Sequence, residues 1–291
     1  MFSSGEWVEP QGADPLPSSF PTSFDSPEEF GRALIETLDL DPVYVAVHNG
    51  PLGFDQLARW LVAYWCFYHA GVASALSEVA QPHCFWGEMK TAANSRRTPR
   101  GRERRHFRGE LARSSLAQLS ERWANPVAWV EALWERRTAR EVISDVRRER
   151  GFGPWIAFKI ADMIERLGAP ITFDSDVLMY DEPSSAALAI ANERGFSGTA
   201  EARVLRVADG LAAALADLSA PPLHERAIGF QEVETVLCKW KAHRAGRYPL
   251  GIDSRELVAA LQWNGPRGFS GTAMALLQRA PRPRWAGGLF S

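Results

Sequence analysis

The chain has 291 residues, of which 46% are hydrophobic and 23% charged, and its formal net charge is −2. A chain of this length and composition buries a large core, and its length fits one large domain or two modest ones. Its three cysteines are far apart and form no CxxC pair, which argues against a disulfide framework or a metal site and is typical of the cytoplasm.

Residues 1–25 are predicted to form a flexible arm, because they are polar, acidic and rich in proline. They lack the positive and apolar regions of a signal peptide, so we do not expect secretion. The next segment, SPEEFGRALIETLDL, predicts a helix with Ser26 as its N-cap and two glutamates in its first turn.

A long apolar helix is predicted in GFDQLARWLVAYWCFYHAGVASALSEV. Its part from Trp60 to Leu76 carries no formal charge and resembles a membrane span. The Trp, Tyr and His residues within it and the charged flanks in amphipathic register favour a buried core helix instead. We therefore expect no membrane partner.

Residues 90–113 form an arginine-rich segment, with nine Lys or Arg against two Glu. Guanidinium groups at this density repel one another unless an anion compensates them, and phosphates suit their planar, bidentate geometry. The alternative is a solvated loop, but His106 and Phe107 interleave the arginines, which favours a phosphate or nucleic-acid surface. The candidate ligands of pyrophosphate or DNA are Arg100, Arg102, Arg104, Arg105 and Arg108.

Helical patterns continue along the chain. NPVAWVEALWERRTAREVISDVRRER predicts one or two helices, and TAEARVLRVADGLAAALADL and FQEVETVLCKWKAH predict two more after a break at GFSGT. The strand signals in PVYVAV and PITF are short and weak. We therefore predict an all-α fold with a single bilobed domain over residues 26–263 and a tail over residues 264–291. Asp253 is expected to cap the last helix, with Glu256 completing the box.

The segment RGFGPWIAFKIADM, residues 150–163, predicts a tight hairpin between two helices. Gly151 and Gly153 permit left-handed backbone angles and close backbone approach, and Pro154 suits the first position of the second helix, which also carries Lys159. Amides at the positive end of that helix are well placed to bind a phosphate. The pattern resembles the helix-hairpin-helix element of DNA glycosylases, near residues 140–166.

In that superfamily a catalytic aspartate follows the hairpin. Here ITFDSDVL supplies Asp174 and Asp176, and Asp176, which lies 23 residues after Gly153, is the better match. The alternative, which stays open, is that both aspartates are N-caps of a helix.

Several further segments, FYHAGVASALSE, FWGEM, PRGRERRHFRG and VETVLCKWKAHRAGRYPLGIDSRE, together resemble the bacteriophage amino acid:DNA transferases, also called alpha-glutamyl/putrescinyl thymine pyrophosphorylases. The resemblance covers about residues 52–261. It implies a glycosylase-like helical fold and an enzyme acting in the cytoplasm of the infected bacterium.

The implied substrate is double-stranded DNA that carries 5-hydroxymethyluracil, pyrophosphorylated beforehand by a separate 5-hydroxymethyluracil DNA kinase, the functional partner. The amine of an amino acid or polyamine then displaces pyrophosphate and leaves a hypermodified thymine. This chemistry requires a flipped base, cations on the leaving group and a carboxylate for the incoming ammonium, and it requires no redox cofactor.

Candidates for these roles follow from residue type. Asp176 or Asp174 would hold or deprotonate the amine, and Glu234 and Lys241 on FQEVETVLCKWKAH are further catalytic candidates. Cys238, one helical turn after Glu234, is either a nucleophile that adds to C6 of the pyrimidine or an inert buried thiol. A flipped base would stack on aromatic residues, although such a stripe equally suits a core: Tyr64, Tyr68 and Trp86.

Two other functions use the same features. A DNA glycosylase would use the hairpin and Asp176 to break the base–sugar bond. Glycosylases of this kind that also act as lyases usually carry a lysine ahead of the aspartate, whereas Lys159 here lies within the second helix of the hairpin. This argues against a lyase and less against a monofunctional glycosylase. A non-catalytic DNA-binding module would need only the arginines and the hairpin. The variant Asp176→Asn separates a binding module, which should retain or gain DNA affinity, from either enzyme, which should lose turnover.

Overall fold

The computed structural model describes residues 23–173, 179–263 and 271, and within these residues the protein is all-α, as predicted. The regular β pairing of the described residues consists of two isolated bridges, Thr138–Thr172 and Ser219–Ala227. Thirteen α-helices are present in that part of the chain: α1 Pro27–Glu36, α2 Pro42–His48, α3 Phe54–Phe67, α4 Ala70–Ser77, α5 Pro82–Asn94, α6 Gly109–Arg122, α7 Pro126–Trp134, α8 Ala139–Val146, α9 Pro154–Arg166, α10 Asp181–Glu193, α11 Ala200–Ala214, α12 Phe230–Arg244 and α13 Ile252–Gln262.

Local sequence signals set several helix starts. The Ser26 hydroxyl accepts a hydrogen bond from the Glu29 amide at 3.2 Å, which confirms the predicted cap of α1. Thr138 and Glu141 form a capping box at the start of α8. The expected cap at α13 is wrong, because Gly251 occupies the N-cap position and Asp253 instead lies 2.6 Å from Lys239 Nζ.

The long apolar helix predicted over residues 53–79 is two helices, α3 and α4. Tyr68 adopts a left-handed conformation with φ of 50° and ends α3, and the His69 ring accepts from the Val72 amide and caps α4. Both helices are buried in the core, as predicted. None of the helices in the described residues is long and apolar enough to cross a membrane.

The two weak strand signals do not form strands. PVYVAV lies in α2, where Pro42 starts the helix and Val43, Tyr44 and Val47 are buried at helical spacing. PITF contributes only the bridge from Thr172 to Thr138.

Buried apolar side chains form two clusters. The first takes residues from α2 to α9 and from α13, and the second takes residues from α1, α10, α11 and α12. α9 lies at the boundary, because Ala157, Ile160 and Ala161 belong to the first cluster while its charged residues meet α12. The division into one bilobed domain stays a prediction.

A network of largely buried charged residues, here called the polar seam, joins the two clusters. Arg166 lies 2.7 Å from Asp41 and donates to the Pro221 carbonyl oxygen, also at 2.7 Å. The members of the polar seam are Asp41, Lys159, Asp162, Arg166, Glu232 and Glu234.

Candidate active site

The hairpin between α8 and α9 has the predicted left-handed backbone conformation at Gly151 but not at Gly153. Gly151 has φ of 83°, and a Cβ there would lie 3.2 Å from the Ser115 hydroxyl, so both conformation and space favour glycine. Gly153 is the N-cap of α9 with extended backbone, and a Cβ there would meet nothing within 4 Å. Pro154 takes the first helical position, as predicted.

Arg104 fastens the arginine-rich segment to this hairpin. It is 7% exposed, and its Nη1 donates to the Gly151 carbonyl oxygen at 2.7 Å. Its guanidinium lies over the rings of Phe107 and Phe152, 4.4 and 4.9 Å from their centroids. Burial lowers the pKa of Arg104 to about 10, so it remains charged at neutral pH.

Arg100 organises the arginine-rich segment itself. Its guanidinium donates to the carbonyl oxygens of Phe107, Thr98 and Ala93, at 2.8, 2.7 and 2.8 Å. Arg100 and Arg104 therefore maintain the shape of the loop, and phosphate contacts from either stay a prediction.

The other three candidate arginines, Arg102, Arg105 and Arg108, are exposed. Arg102 pairs with Glu256 of α13, and Arg105 donates to the Arg102 carbonyl oxygen at 2.8 Å. Arg150, next to Gly151 in the hairpin, is also exposed, and the Ser115 hydroxyl donates to its carbonyl oxygen. Arg150 adjoins the hairpin motif but carries no motif signal of its own. Arg105, Arg108 and Arg150 are therefore the exposed cations of the arginine-rich segment and the hairpin.

The aromatic candidates occupy different environments. Trp86 is 3% exposed, and its indole N–H donates to the carbonyl oxygens of Trp123 and Ala124, so it belongs to the core. Tyr64 is 6% exposed and stacks on a core tryptophan. Tyr68 is only half-buried and contacts the half-buried Trp155 at a centroid distance of 5.0 Å. Stacking on a flipped base stays a prediction, and Tyr68 is the best placed of the three.

Lys159 and Glu234, which are 75 residues apart in sequence, form a buried pair. Lys159 Nζ lies 2.6 Å from Glu234 Oε2 and 2.6 Å from the Thr235 hydroxyl oxygen. It lies 3.7 Å from Asp162 Oδ2, on the same face of α9. Lys159 therefore faces α12, and its predicted contact with DNA or pyrophosphate stays a prediction. No local sequence pattern points to this pairing.

The charges of this centre follow from its surroundings. Burial alone lowers the pKa of Lys159, but the carboxylates of Glu234, Asp41 and Asp162 outweigh it and raise the pKa, so the ammonium stays charged. Burial raises the pKa of Asp162, which Lys159 and Arg166 only partly counteract.

Aromatic residues on either side of residues 174–178 pack against α9. Phe173 and Tyr180 both pack against Phe158, with centroid distances of 5.6 and 5.9 Å, next to Lys159. Between them, Asp174 and Asp176 lie outside the described residues, and their catalytic or capping roles stay predictions. The buried Tyr180 hydroxyl faces Glu234 and Cys238 without a well-formed hydrogen bond to a described residue.

Two remaining candidates on α12 differ in exposure. Burial, followed by the charge of Glu234, raises the pKa of the Cys238 thiol to about 11, so it is protonated at neutral pH. This favours the inert thiol over the nucleophile. Lys241 is exposed, and its ammonium donates to the Ser185 hydroxyl of α10 at 2.7 Å, so a catalytic role for it stays a prediction.

Comparisons with known proteins add to this geometry. The family model described as amino acid:DNA transferase matches residues 35–247. The chain is similar to a glycinyltransferase of Pseudomonas phage PaMx11, with 40% identity over 87% of this chain and 95% of that protein. It is also similar to a putrescinyltransferase of Delftia phage PhiW-14, with 29% identity over 77% of this chain and 74% of that protein. The chain therefore belongs to the amino acid:DNA transferase family.

Proposed function

We propose that this enzyme attaches glycine, through its amine nitrogen, to a thymine precursor in phage DNA. Its membership of the family and the name of the relative with 40% identity support this choice of amine. The structural observation that carries the proposal is the hydrogen bond from Arg104 to Gly151, which unites the arginine-rich segment and the hairpin in one surface. A single positive surface of this kind fits a DNA backbone.

In the proposed complex, exposed arginines and the hairpin bind phosphates. The amides of Gly151 and Gly153 lie at the positive end of α9, and Arg105, Arg108 and Arg150 are exposed beside them. Because the C5 substituent must meet the amine in a closed pocket, we propose that the base is flipped toward two half-buried aromatic residues, Tyr68 at the end of α3 and Trp155 at the start of α9.

The proposed substrate is uracil with a pyrophosphorylated 5-hydroxymethyl group, supplied by a separate DNA kinase in the host cytoplasm. The amine nitrogen forms a bond to the exocyclic methylene carbon while the carbon–oxygen bond breaks, and pyrophosphate leaves with the electron pair. Arginine side chains stabilise its developing charge, and a carboxylate takes the proton that the amine loses. The base–sugar bond remains intact, and the carboxylate candidates are Asp174, Asp176 and Glu234.

The proposal is tested by mass spectrometry of nucleosides. Duplex DNA with 5-pyrophosphoryloxymethyl-uracil is incubated with the enzyme and glycine, glutamate or putrescine in separate reactions. We expect a nucleoside that retains deoxyribose and gains one glycine, with one pyrophosphate released per transfer. Free base with abasic sites would indicate a glycosylase, and unmodified DNA that still binds the protein would indicate a binding module. Equal transfer to DNA that lacks the pyrophosphate would overturn the proposed leaving group.

A further inference from the structure

We infer that Glu234 binds the ammonium of the amine co-substrate and removes its proton. The inference rests on the proposed transfer reaction and identifies the residue that receives the amine. Glu234 has no exposed side-chain area. Its Oε2 is fixed by Lys159 Nζ at 2.6 Å and by the Thr235 hydroxyl at 3.2 Å, so the direction of its other oxygen is also fixed.

That other oxygen, Glu234 Oε1, is buried and accepts no hydrogen bond from the part of the chain that the structure describes. Glu232, two residues earlier on the same helix, has both oxygens bonded by Arg226 at 2.9 Å. Buried carboxylate oxygens in native proteins nearly always have a donor. The Tyr180 hydroxyl faces Glu234 and likewise lacks a hydrogen bond within the described residues. An ammonium supplies three N–H groups, so it can donate to Glu234 Oε1 and to the Tyr180 hydroxyl oxygen at once.

Lys159 also fixes the orientation of Glu234 through a buried ion pair. Lys159 lies close to two carboxylates, at 2.6 Å from Glu234 and 3.7 Å from Asp162. The next cation, Arg166, pairs with Asp41 at 2.7 Å and lies 3.9 Å from Asp162. Burial raises the pKa of Asp162, so Lys159 compensates chiefly Glu234 and holds that carboxylate in place.

The position of Glu234 relative to the aromatic pair suits the reaction. Trp155 precedes Lys159 by four residues, about 6 Å along α9 and on the same face. A base resting on Trp155 and Tyr68 would therefore lie about one helical turn from the Lys159–Glu234 pair. Tyr180, half-buried with its hydroxyl toward Glu234, lies beside the same pair.

In this step the carboxylate of Glu234 takes one proton from the ammonium, which yields the neutral amine and a carboxylic acid. The amine lone pair then forms the bond to the methylene carbon as pyrophosphate leaves. The carboxylic acid returns its proton to solvent before the next turnover. Lys159 is a positioning residue here, because it acts on the substrate only through Glu234.

The test compares full-length wild type with Glu234→Gln, which keeps size and removes charge. At saturating DNA we expect the variant to raise the KM for glycine about tenfold or more and to lower kcat about 100-fold or more, with the Kd for DNA within about twofold. The control is Glu232→Gln, equally buried on α12 but with both oxygens bonded within the protein. It is expected to lose thermal stability and to keep the KM for glycine.

A binding measurement separates this inference from the proposed function. Glycine is titrated into the enzyme and followed by line broadening in NMR, beside glycolate, which has a hydroxyl in place of the ammonium. We expect wild type to bind glycine and not glycolate, and Glu234→Gln to bind neither. Glycine binding that Glu234→Gln retains, or equal binding of glycolate by wild type, would overturn the inference even if transfer occurs. Glycine binding that depends on Glu234 without any transfer would support the site and overturn the proposed function alone.

Discussion

The Arg104 guanidinium donates to the carbonyl oxygen of Gly151 at 2.7 Å, so the arginine-rich segment and the hairpin form one unit although they lie 47 residues apart. The same guanidinium lies over Phe107 from its own segment and over Phe152 from the hairpin. The sequence predicts Arg104 as a phosphate ligand, but in the structure Arg104 holds together the two segments that carry the exposed arginines.

Replacing Arg104 by Ala is expected to reduce both stability and DNA affinity. A charge-assisted hydrogen bond contributes roughly 1.5–3 kcal/mol, and loss of the stacked guanidinium adds to it. Denaturant unfolding should show that the free energy of unfolding decreases by about 2–4 kcal/mol. An unchanged free energy of unfolding would contradict the proposal that Arg104 holds the arginine-rich segment against the hairpin.

Arg105→Ala and Arg108→Ala test the exposed arginines. Because both side chains are exposed, we expect the free energy of unfolding to change by less than about 0.5 kcal/mol. Each substitution should weaken DNA binding and reduce the slope of log K against log salt concentration by about 1. An unaltered salt dependence would place the DNA surface elsewhere.

The two hairpin glycines should respond differently to alanine. Gly151→Ala must adopt φ of 83° and approach Ser115, so we expect a loss of about 1–2 kcal/mol in unfolding free energy. Gly153→Ala has extended backbone and open space, so it should lose less than about 0.5 kcal/mol. Equal losses, measured by urea denaturation, would argue against this hairpin geometry.

Asp162→Asn is expected to alter the pH dependence of stability. Burial raises the pKa of Asp162 above its unfolded value of about 4, so the folded state holds this proton more tightly. The stabilisation that Asp162 provides is therefore complete below pH about 4. As pH rises from there toward the folded pKa, the free energy of unfolding decreases by up to about 1.4 kcal/mol per pH unit. Asparagine keeps an acceptor for the Tyr44 hydroxyl, which donates to Asp162 at 2.9 Å, and it removes this loss. The stability of the variant relative to wild type should therefore increase with pH over this range.

Asp217→Asn is the control with the opposite sign. A hydrogen bond from Arg32 lowers the pKa of Asp217, so this contribution is present above the unfolded pKa and is lost as pH falls through the folded pKa. The variant should be less stable than wild type near neutral pH, and the difference should disappear in acid. Parallel stability profiles for wild type and both variants would contradict the two assignments.

Cys238→Ser should leave transfer almost unchanged. The thiol pKa of about 11 leaves little thiolate at neutral pH, so the thiol is a poor nucleophile. We expect kcat and the KM values for DNA and glycine to stay within about twofold of wild type. Loss of activity with retained thermal stability would instead support Cys238 as the nucleophile.

Sequence alone predicts the features that depend on local chemistry. The all-α class follows from helical periodicity, the start of α1 from Ser26 and the start of α9 from Pro154. The left-handed backbone conformation in the hairpin follows from the glycine at position 151. The break between α3 and α4 was missed, because Tyr68 in a left-handed conformation has no signature as clear as a glycine. The resemblance that the sequence motifs carry agrees with the family match over residues 35–247.

Tertiary structure decides which charged side chains meet. The arginine run predicts a positive surface, but only packing distinguishes the buried Arg104 and the half-buried Arg100 from the exposed Arg102, Arg105 and Arg108. The rings that enclose Arg104 come from two separate segments. The pairing of Lys159 with Glu234 is likewise invisible in the chain, because it arises where the charged face of α9 meets α12 across the polar seam. Local sequence fixes backbone conformation through steric and capping preferences, whereas the partner of a buried charge depends on the helix that burial places opposite it.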